Sequence, residues 1–219
     1  MQPPSAAPVG VVLAGGASRR MGLDKALLAL SDAGQPASLP AGAAERLAAV
    51  CAEVAVADRG RGLLPGLPSL PDGPGRGPAA GILGAAAAYP GRPLLVLACD
   101  LPRVPAALLA ELCRLEGYHW VVPRWSGGLE PLCAFYAPAA LAVLAERAGR
   151  GLFAPHRLAE EAGLAVRYLE GEDLSRFGPP AEAFLNLNTP EDLERYTSNA
   201  FGTSPQARHG QISRRKSKR

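Results

Sequence analysis

The sequence predicts an α/β fold with a mainly parallel sheet and helices on both of its faces. Short apolar runs bounded by Gly or Pro alternate along the chain with longer segments rich in Ala and Leu. The short runs are typical of strands buried on both faces, whereas the composition of the longer segments favours helices. Their alternation implies βαβ units. With 219 residues, of which 48% are hydrophobic, the chain can bury one substantial core.

The predicted elements follow that alternation from one end of the chain to the other. Strands are expected at residues 9–14, 54–57, 93–98, 120–123 and 184–187, with a further strand after residue 132. Helices are expected at residues 43–52, 79–88, 105–115 and 138–147. Two stretches rich in Pro and Gly, residues 32–42 and 60–78, are predicted to be loops. Ligands of such sheets bind at the carboxyl ends of the strands, so residues just after each strand are the candidates for a site.

Charge is divided unevenly between the body of the chain and its C-terminus. The formal net charge is +3, but six positive charges lie after Tyr196, where no acidic residue occurs, so residues 1–196 are mildly acidic. We predict a single domain over residues 1–197 and a basic, disordered tail over residues 198–219. No nucleic-acid partner is expected for the folded domain, because phosphate-backbone binding needs clustered positive charge on the fold itself.

The sequence contains no recognisable targeting segment or membrane span. Its N-terminus does not combine basic residues with a long apolar stretch and a cleavage site, and no run of about twenty apolar residues occurs. The four cysteines are widely spaced, with no CxxC pair and no nearby histidine to complete a zinc site. We therefore expect a soluble, cytoplasmic protein without a membrane partner.

Lys25 is the single lysine among the first 215 residues, whereas arginine occupies the sixteen other basic positions before residue 200. Lysine offers a compact point charge that suits a phosphate group, while the wider guanidinium fork of arginine does not fit the same pocket. The alternative is a lysine retained by chance at the start of a solvated helix. The segment around it, LAGGASRRMGLDKALL, favours the phosphate-binding role.

A glycine turn and three positive charges follow the first predicted strand. Gly15 and Gly16 lack side chains that would keep backbone N–H groups away from a ligand, so they are expected to contact a nucleotide. Arg19, Arg20 and Lys25 suit the charges of a triphosphate and of a departing pyrophosphate. The segment is neither a P-loop nor a GxGxxG dinucleotide signature.

Two aspartates follow later apolar segments. Asp100, in LACDLP, lies where a predicted strand ends and is a candidate ligand of Mg²⁺ that is bound to phosphate oxygens. Its alternative role is a helix N-cap, which Pro102 and Pro105 disfavour because they move the helix start downstream. The second aspartate, Asp72, has a carboxylate that can accept hydrogen bonds from two adjacent donors of guanine. Cytosine has no comparable pair of donors. The alternative role of Asp72 is that of a turn residue in a Gly-rich loop.

Two further polar residues are weaker candidates. Asn188 is predicted to emerge at the carboxyl end of the last strand, where it could reach phosphates or metal. It precedes Thr189 and Pro190, which with Asp192 resemble a helix N-terminus. Glu130 lies before another strand and is expected to face an acceptor substrate, although a loop carboxylate is the plainer interpretation.

These segments together resemble the molybdenum cofactor guanylyltransferase family, within the nucleotidyltransferases that have a Rossmann-like fold. The matching motifs occur in order and are LAGGASRRMGLDKALL, GPAAGI, CDLP, EPLCAFY and NTPEDL. They cover roughly residues 8–196, and the first of them is highly specific. The resemblance implies a three-layer Rossmann-like nucleotidyltransferase fold. It also implies an enzyme that transfers GMP from GTP to the terminal phosphate of molybdopterin, forms the guanine dinucleotide cofactor and releases pyrophosphate.

The resemblance implies roles for particular residues as well. Mg²⁺ is the expected cofactor, and molybdoenzymes or their chaperones are suggested as further partners. Arg20, Lys25 and Asp100 are the expected catalytic residues. On the resemblance, the nucleotide contacts Leu13, Ala14 and Gly15, the phosphates contact Lys25, the guanine contacts Asp72, and the Mg²⁺ contacts Asp100.

Two departures from the family pattern and three alternative functions remain at this point. The chain has Gly34-Gln35-Pro36 where the family commonly has Gly-Lys-Pro, and Ala57-Asp58 where some members have an asparagine that contacts the nucleotide.

The enzymatic alternatives are a cytidylyltransferase on the same cofactor and a related transferase with another acceptor. Gly15-Gly16 favours GTP, since cytidylyl relatives tend to have Ala-Gly there. A non-catalytic nucleotide sensor or adaptor is the alternative from another class.

Overall fold

Ten strands, six α-helices and one 3₁₀ helix make up the described part of the chain. The computed structural model describes residues 7–15, 29–32, 35–187, Asp192 and Tyr196. The strands are β1 (Val9–Leu13), β2 (Ala29–Asp32), β3 (Gln35–Ser38), β4 (Glu53–Ala57), β5 (Ser69–Leu70), β6 (Leu94–Ala98), β7 (Trp120–Trp125), β8 (Gly128–Leu129), β9 (Cys133–Tyr136) and β10 (Val166–Leu169). The α-helices are α1 (Leu39–Ala48), α2 (Pro78–Ala88), α3 (Ala106–Arg114), α4 (Pro138–Gly149), α5 (Gly171–Ser175) and α6 (Pro180–Ala183), and the 3₁₀ helix is Pro155–Glu160.

The main sheet has the strand order β10-β7-β9-β6-β1-β4-β5, with β8 paired to β7. β1 lies parallel to both β4 and β6, and the pairs β4–β5 and β7–β10 are also parallel. β9 runs antiparallel to its two neighbours, β6 and β7. β2 and β3 form a separate antiparallel pair. The carboxyl ends of β1, β4, β5, β6 and β7 therefore share one edge of the sheet with the amino end of β9.

Two hydrophobic clusters fill the space between the sheet and its helices. On one face, α1 and α3 pack against a cluster that includes Val12 and Leu97, and on the other α2 and α4 pack against Val11 and Val96. Successive residues of a strand point to opposite faces, so each central strand contributes to both clusters. This arrangement confirms the predicted α/β fold, with a mainly parallel sheet and helices on both faces.

Helix α1 begins four residues earlier than predicted, and part of the predicted loop at residues 32–42 is wrong. Ser38 has an extended backbone, and its hydroxyl accepts a hydrogen bond from the main-chain N–H of Ala41. Pro40 occupies the first turn, where the N–H that proline lacks would have no helical partner. The Pro and Gly content of this stretch suggested a loop, but a serine cap followed by proline starts a helix.

The strand predicted at residues 184–187 is wrong as well. Phe184 and Leu185 donate their N–H groups back to Pro180 and Glu182, so they close α6 instead of pairing with a strand. Leu187 donates its N–H to the carbonyl of Asp100 at 2.9 Å. Phe184 and Leu187 are both buried. The apolar alternation that suggested a strand thus reflects packing of an irregular segment against the core.

The loop before α2 lies directly on the helix. A Cβ atom on Gly73 would lie 2.5 Å from the nitrogen of Gly84, and one on Gly84 would lie 2.1 Å from the carbonyl oxygen of Pro71. Gly73 also donates its N–H to Ala80 of the helix at 2.8 Å. Glycine is required at both positions because no side chain fits between the two backbones. The contact fixes the position of Asp72, which lies between Pro71 and Gly73.

No helix within the described ranges is long and apolar enough to cross a bilayer. The basic segment 198–219 lies outside the described residues. The single domain, the disordered tail and the cytoplasmic location stay predictions.

Replacing Gly84 by Ala is expected to lower the free energy of unfolding by about 1–3 kcal/mol, because the added Cβ forces α2 and the loop at Pro71 apart. Urea unfolding followed by circular dichroism measures the change. Gly149→Ala is the matched control: nothing lies within 4 Å of a Cβ at this helical glycine, so the variant should be at least as stable as wild type. A Gly84→Ala protein of unchanged stability would contradict the close contact.

Candidate functional site

The candidate site is the crevice above the carboxyl ends of the central strands. In the main sheet, β1 lies between β4 on one side and β6 on the other. Leu13 pairs with Ala57 of β4 and with Ala98 of β6, so the three strands end at the same level. A reversal of strand order at the centre of such a sheet opens a crevice in which ligands bind.

The residues at the end of β1 form the floor of this crevice. The carbonyl of Leu13 accepts a hydrogen bond from the N–H of Cys99 at 3.1 Å, and Ala14 donates its N–H to Ala57 at 3.0 Å. The carbonyl of Ala14 accepts from Nη2 of Arg61 at 2.7 Å. These main-chain groups hold the neighbouring strand ends together. Gly15 follows at the open edge.

Asp58, the first residue after β4, shapes the loop that follows it. Its side chain is fully buried, at 0% exposure. Oδ1 accepts from the main-chain N–H groups of Gly60 and Arg61 and from the hydroxyl of Ser69, while Oδ2 accepts from the N–H of Leu63 at 2.8 Å. Four donors compensate the burial of its charge. Asp58 is therefore a structural residue, and this chain has no nucleotide-contacting asparagine here.

Asp72 lies at the far side of β4, just beyond the end of β5. Its Oδ2 accepts a hydrogen bond from Nε of Arg59 at 3.0 Å, and both side chains remain partly exposed. Neighbouring strands are about 4.8 Å apart, so the ends of β5 and β6, three strand spacings apart, are about 14 Å from each other. Asp72 and Asp100 thus lie on opposite sides of the crevice.

Asp100 and Glu130 lie close together on the β6 side. Asp100 follows β6 by two residues, and Glu130 precedes β9, whose reversed direction brings it to the same edge. Burial raises the pKa of the Glu130 carboxyl, the negative charge of Asp100 raises it further, and a hydrogen bond from Trp125 opposes both effects. That bond joins Nε1 of Trp125 to Oε1 of Glu130 at 2.8 Å. The two carboxyl groups therefore lie near enough to interact electrostatically, at the sheet edge where the sequence predicts a metal ligand.

The donor set at this position fits a magnesium-type ion. Within the described residues, no group of three or more His, Cys, Asp or Glu side chains is placed to hold a metal. Mg²⁺ commonly takes one or two protein carboxylates and completes its coordination with water and substrate phosphates. Asp100 with its neighbour Glu130 supplies a set of this kind.

Two contacts hold the loop after Asp100 in place. Nη1 of Arg46, in the last turns of α1, donates to the carbonyl of Pro102 at 2.8 Å, and Nη2 donates to Leu101 at 3.4 Å. From the other side, the N–H of Leu187 reaches the carbonyl of Asp100. The carboxylate of Asp100 is thus presented from a loop fixed at both flanks.

The predicted site residues fall into three groups. The first group lies at the crevice near the ends of β1 and β6 and consists of Leu13, Ala14, Gly15, Asp100 and Glu130. The second is Asp72, which lies on the far side of the crevice, two strands away from β1. Gly16, Arg19, Arg20, Lys25 and Asn188 lie outside the described residues, although Leu187, next to Asn188, contacts Asp100.

Sequence reasoning missed two residues of this edge, Arg59 and Trp125. Arg59 lies two residues beyond the end of β4, and Trp125 is the last residue of β7. Both positions follow the rule that carboxyl ends of strands carry the site. Trp125 was missed because β7 was predicted to end at residue 123. Arg59 was missed because no motif surrounds it in its Gly-rich loop.

Comparison with known proteins identifies the family. The model of the MobA-like NTP transferase domain matches residues 10–162. A molybdenum cofactor guanylyltransferase of Cereibacter sphaeroides is 37% identical over 199 residues, which are 86% of this chain and 95% of that protein. A probable molybdenum cofactor guanylyltransferase of Chloroflexus aggregans is 34% identical over 195 residues, which are 84% of this chain and 91% of that protein.

Solved structures agree with these relatives. The crystal structure of molybdopterin-guanine dinucleotide biosynthesis protein A from Archaeoglobus fulgidus has a TM-score of 0.72 and 25% identity, and the match covers 89% of this chain and all of that one. The crystal structure of Rv0371c from Mycobacterium tuberculosis in complex with manganese shares the fold, with a TM-score of 0.62 and 20% identity. The match covers 88% of this chain and 98% of that one. The predicted Rossmann-like nucleotidyltransferase fold is confirmed. By its domain, its sequence and its fold, this chain belongs to the molybdenum cofactor guanylyltransferases, a family of nucleotidyltransferases.

Proposed function

We propose that this protein transfers GMP from GTP to the terminal phosphate of molybdopterin, forming molybdopterin guanine dinucleotide and releasing pyrophosphate. The observation that carries the proposal is the placement of Asp72 and Asp100 on opposite sides of one crevice, beyond strands β5 and β6, whose ends are about 14 Å apart by strand spacing. A nucleoside triphosphate fits between them with its base at Asp72 and its phosphates at Asp100. The names of the relatives supply the acceptor.

The chemical step is an in-line attack by a phosphate oxygen of the acceptor on the α-phosphorus of GTP. A new phosphoanhydride bond forms, the bond between the α-phosphorus and the bridging oxygen breaks, and that oxygen leaves with pyrophosphate. No covalent enzyme intermediate is required. Arg20 and Lys25 are proposed to neutralise the charge that develops on the leaving group, so catalysis consists mainly of positioning and electrostatic stabilisation.

Asp100 is proposed to hold the metal ion, with Glu130 beside it and Asn188 as a further ligand of metal or phosphate. Bound Mg²⁺ would supply a positive charge that draws the phosphate oxygens of nucleotide and acceptor together. Trp125 fixes the orientation of Glu130 through its indole N–H. Arg46 and Leu187 keep the loop that carries Asp100 from moving away from the substrate.

Nucleotide binding is assigned to the other half of the crevice. The strand end at Leu13 and Ala14, followed by Gly15 and Gly16, lets the nucleotide approach the backbone closely. Asp72 is proposed to accept the two adjacent donors of the guanine base. The position of Asp72 is fixed by the contact of its loop with α2.

The acceptor is expected to approach Asp100 from the side away from Asp72. Along the sheet, the groups that follow Asp100 in this direction are Glu130, before β9, and Trp125, at the end of β7. A cavity of about 340 Å³ opens next to Trp125 and is also lined by Arg124 and Leu174. Its aromatic and aliphatic lining suits a ligand with a ring, whereas the guanidinium of Arg124 is already paired with Glu170.

Pyrophosphate release is the direct test of this function. The protein with Mg²⁺ should release pyrophosphate from GTP when a molybdopterin-bearing acceptor is present, and much less from CTP, because cytosine lacks the donor pair that Asp72 requires. Reactions without acceptor, and with each nucleotide alone, are the controls. A preference for CTP would assign the chain to cytidylyl transfer instead, and GTP binding without release would favour another acceptor or a nucleotide sensor.

Replacing Lys25 by Ala is expected to reduce pyrophosphate release by roughly 100-fold or more, since the positive charge that neutralises the leaving pyrophosphate is lost. Lys25→Arg should recover little of the rate if the pocket requires a compact ammonium. Arg114→Ala removes an exposed positive charge at the end of α3 and serves as the control. An undiminished rate in Lys25→Ala, at unchanged thermal stability, would exclude Lys25 from the mechanism.

Asp100→Asn keeps the size of the side chain but removes the charge that a divalent cation needs. The rate is expected to fall by about 100-fold or more, and the Mg²⁺ concentration required for half-maximal rate should rise. Asp173→Asn is the matched control, because Asp173 pairs with Arg167 on the surface. A normal magnesium dependence in Asp100→Asn would show that the ion is held elsewhere.

A further inference from the structure

Arg59 has a backbone conformation that arginine rarely adopts. Its φ is +66°, and among the described residues it is the one non-glycine residue with positive φ. An L-residue pays about 1–2 kcal/mol for this conformation. The loop imposes it, because the buried Asp58 holds the main chain at Gly60 and Arg61. Strain of this kind persists where the surrounding structure fixes it, and it accumulates at functional sites.

The conformation directs the side chain of Arg59 across the nucleotide half of the crevice. β4 lies between β1 and β5, so a side chain at its end can reach both neighbours. Nε of Arg59 lies 3.5 Å from the position that a Cβ on Gly15 would occupy, and it donates to Oδ2 of Asp72 at 3.0 Å. Arg59 thus connects the glycine turn after β1 with the carboxylate assigned to the base.

The side chains of Arg59 and Asp72, although they bind one another, can still form hydrogen bonds with a ligand. Arginine has five N–H donors, and the contact with Asp72 uses the one on Nε. The side chain of Arg59 is 48% exposed and that of Asp72 is 34% exposed, so both are accessible to a ligand. Together they present a guanidinium donor next to two carboxylate oxygens.

This pattern is complementary to the edge of guanine. Guanine presents the acceptor O6 followed by the donors N1–H and N2–H₂, whereas cytosine presents one donor and two acceptors. The oxygens of Asp72 match the two donors of guanine, and an Nη group of Arg59 matches O6, an atom that arginine commonly recognises in nucleic acids. With cytosine, one carboxylate oxygen would face an acceptor and stay unpaired.

We propose that Arg59 is a specificity-determining residue, which orients the carboxylate of Asp72 and donates a hydrogen bond to O6 of guanine. The inference rests on the proposed function, because it takes the base at Asp72 to be guanine. It assigns recognition to a pair of side chains from two neighbouring strand ends. Arg59 also balances the charge of Asp72 in a site that receives a polyanion.

The test uses Arg59→Gly, because glycine accepts positive φ without strain and the variant should fold at least as well as wild type. Calorimetry measures the affinity of the full chain for GTP, for 6-thio-GTP, which replaces O6 by a weaker acceptor, and for ITP, which lacks the N2 amino group. Wild type should bind GTP about tenfold more tightly than 6-thio-GTP. In Arg59→Gly this ratio should fall to near one, while ITP remains weaker than GTP because Asp72 is still present. Arg114→Ala, which loses an equal charge on the surface, should keep the wild-type ratios.

Two results would overturn the inference. In the first, Arg59→Gly discriminates between GTP and 6-thio-GTP as well as wild type does, so that O6 has another partner. In the second, wild type itself does not discriminate. Failure of the proposed function is distinguishable, since it appears in the wild type as an absence of acceptor-dependent pyrophosphate release. The binding ratios of the variant still report on Arg59 in that case.

Discussion

The parallel pairing of β1 with both β4 and β6 forms the crevice on which the rest of the site depends. Because Leu13 is in register with Ala57 and with Ala98, three strands end at one level and release their chains into the same crevice. Hydrogen bonds from Cys99 and Ala14 then tie the first residues beyond the strands to each other. Asp72 and Asp100 thus follow strands of one sheet edge and are separated by a fixed number of strands.

The reversed direction of β9 adds what a wholly parallel sheet would lack. An antiparallel strand enters the sheet at the edge where its neighbours leave, so the segment before β9 brings Glu130 next to Asp100. A parallel strand would place that segment at the opposite edge. Trp125 at the end of β7 then orients Glu130. The placement of Glu130 therefore follows from strand direction, while that of Asp72 follows from strand order.

Sequence patterns predicted those features that depend on local composition. The central strands are apolar on both faces, and their helices are rich in Ala and Leu, so the layers, the core and the position of Asp100 followed from the sequence. Features that depend on distant partners were missed: β10 has polar residues and pairs only through β7, and residues 184–187 alternate like a strand but pack irregularly. Ser38 starts a helix within a stretch rich in Pro and Gly, which composition alone assigns to a loop. The position of Arg59 follows the strand-end rule, but its orientation could not be predicted because it depends on a left-handed backbone.

Asp58 is buried within its own loop, whereas the next residue, Arg59, is exposed and contacts Asp72. The carboxylate of Asp58 is buried and accepts four hydrogen bonds from its own loop and from Ser69. A carboxylate suits that environment because it is acceptor-only, whereas an amide would turn a donor toward one of these donors. The buried aspartate therefore withdraws position 58 from ligand contact and makes the turn rigid. The same turn directs Arg59 toward Gly15 and Asp72, so the side chain that reaches the crevice comes from the residue after the buried aspartate.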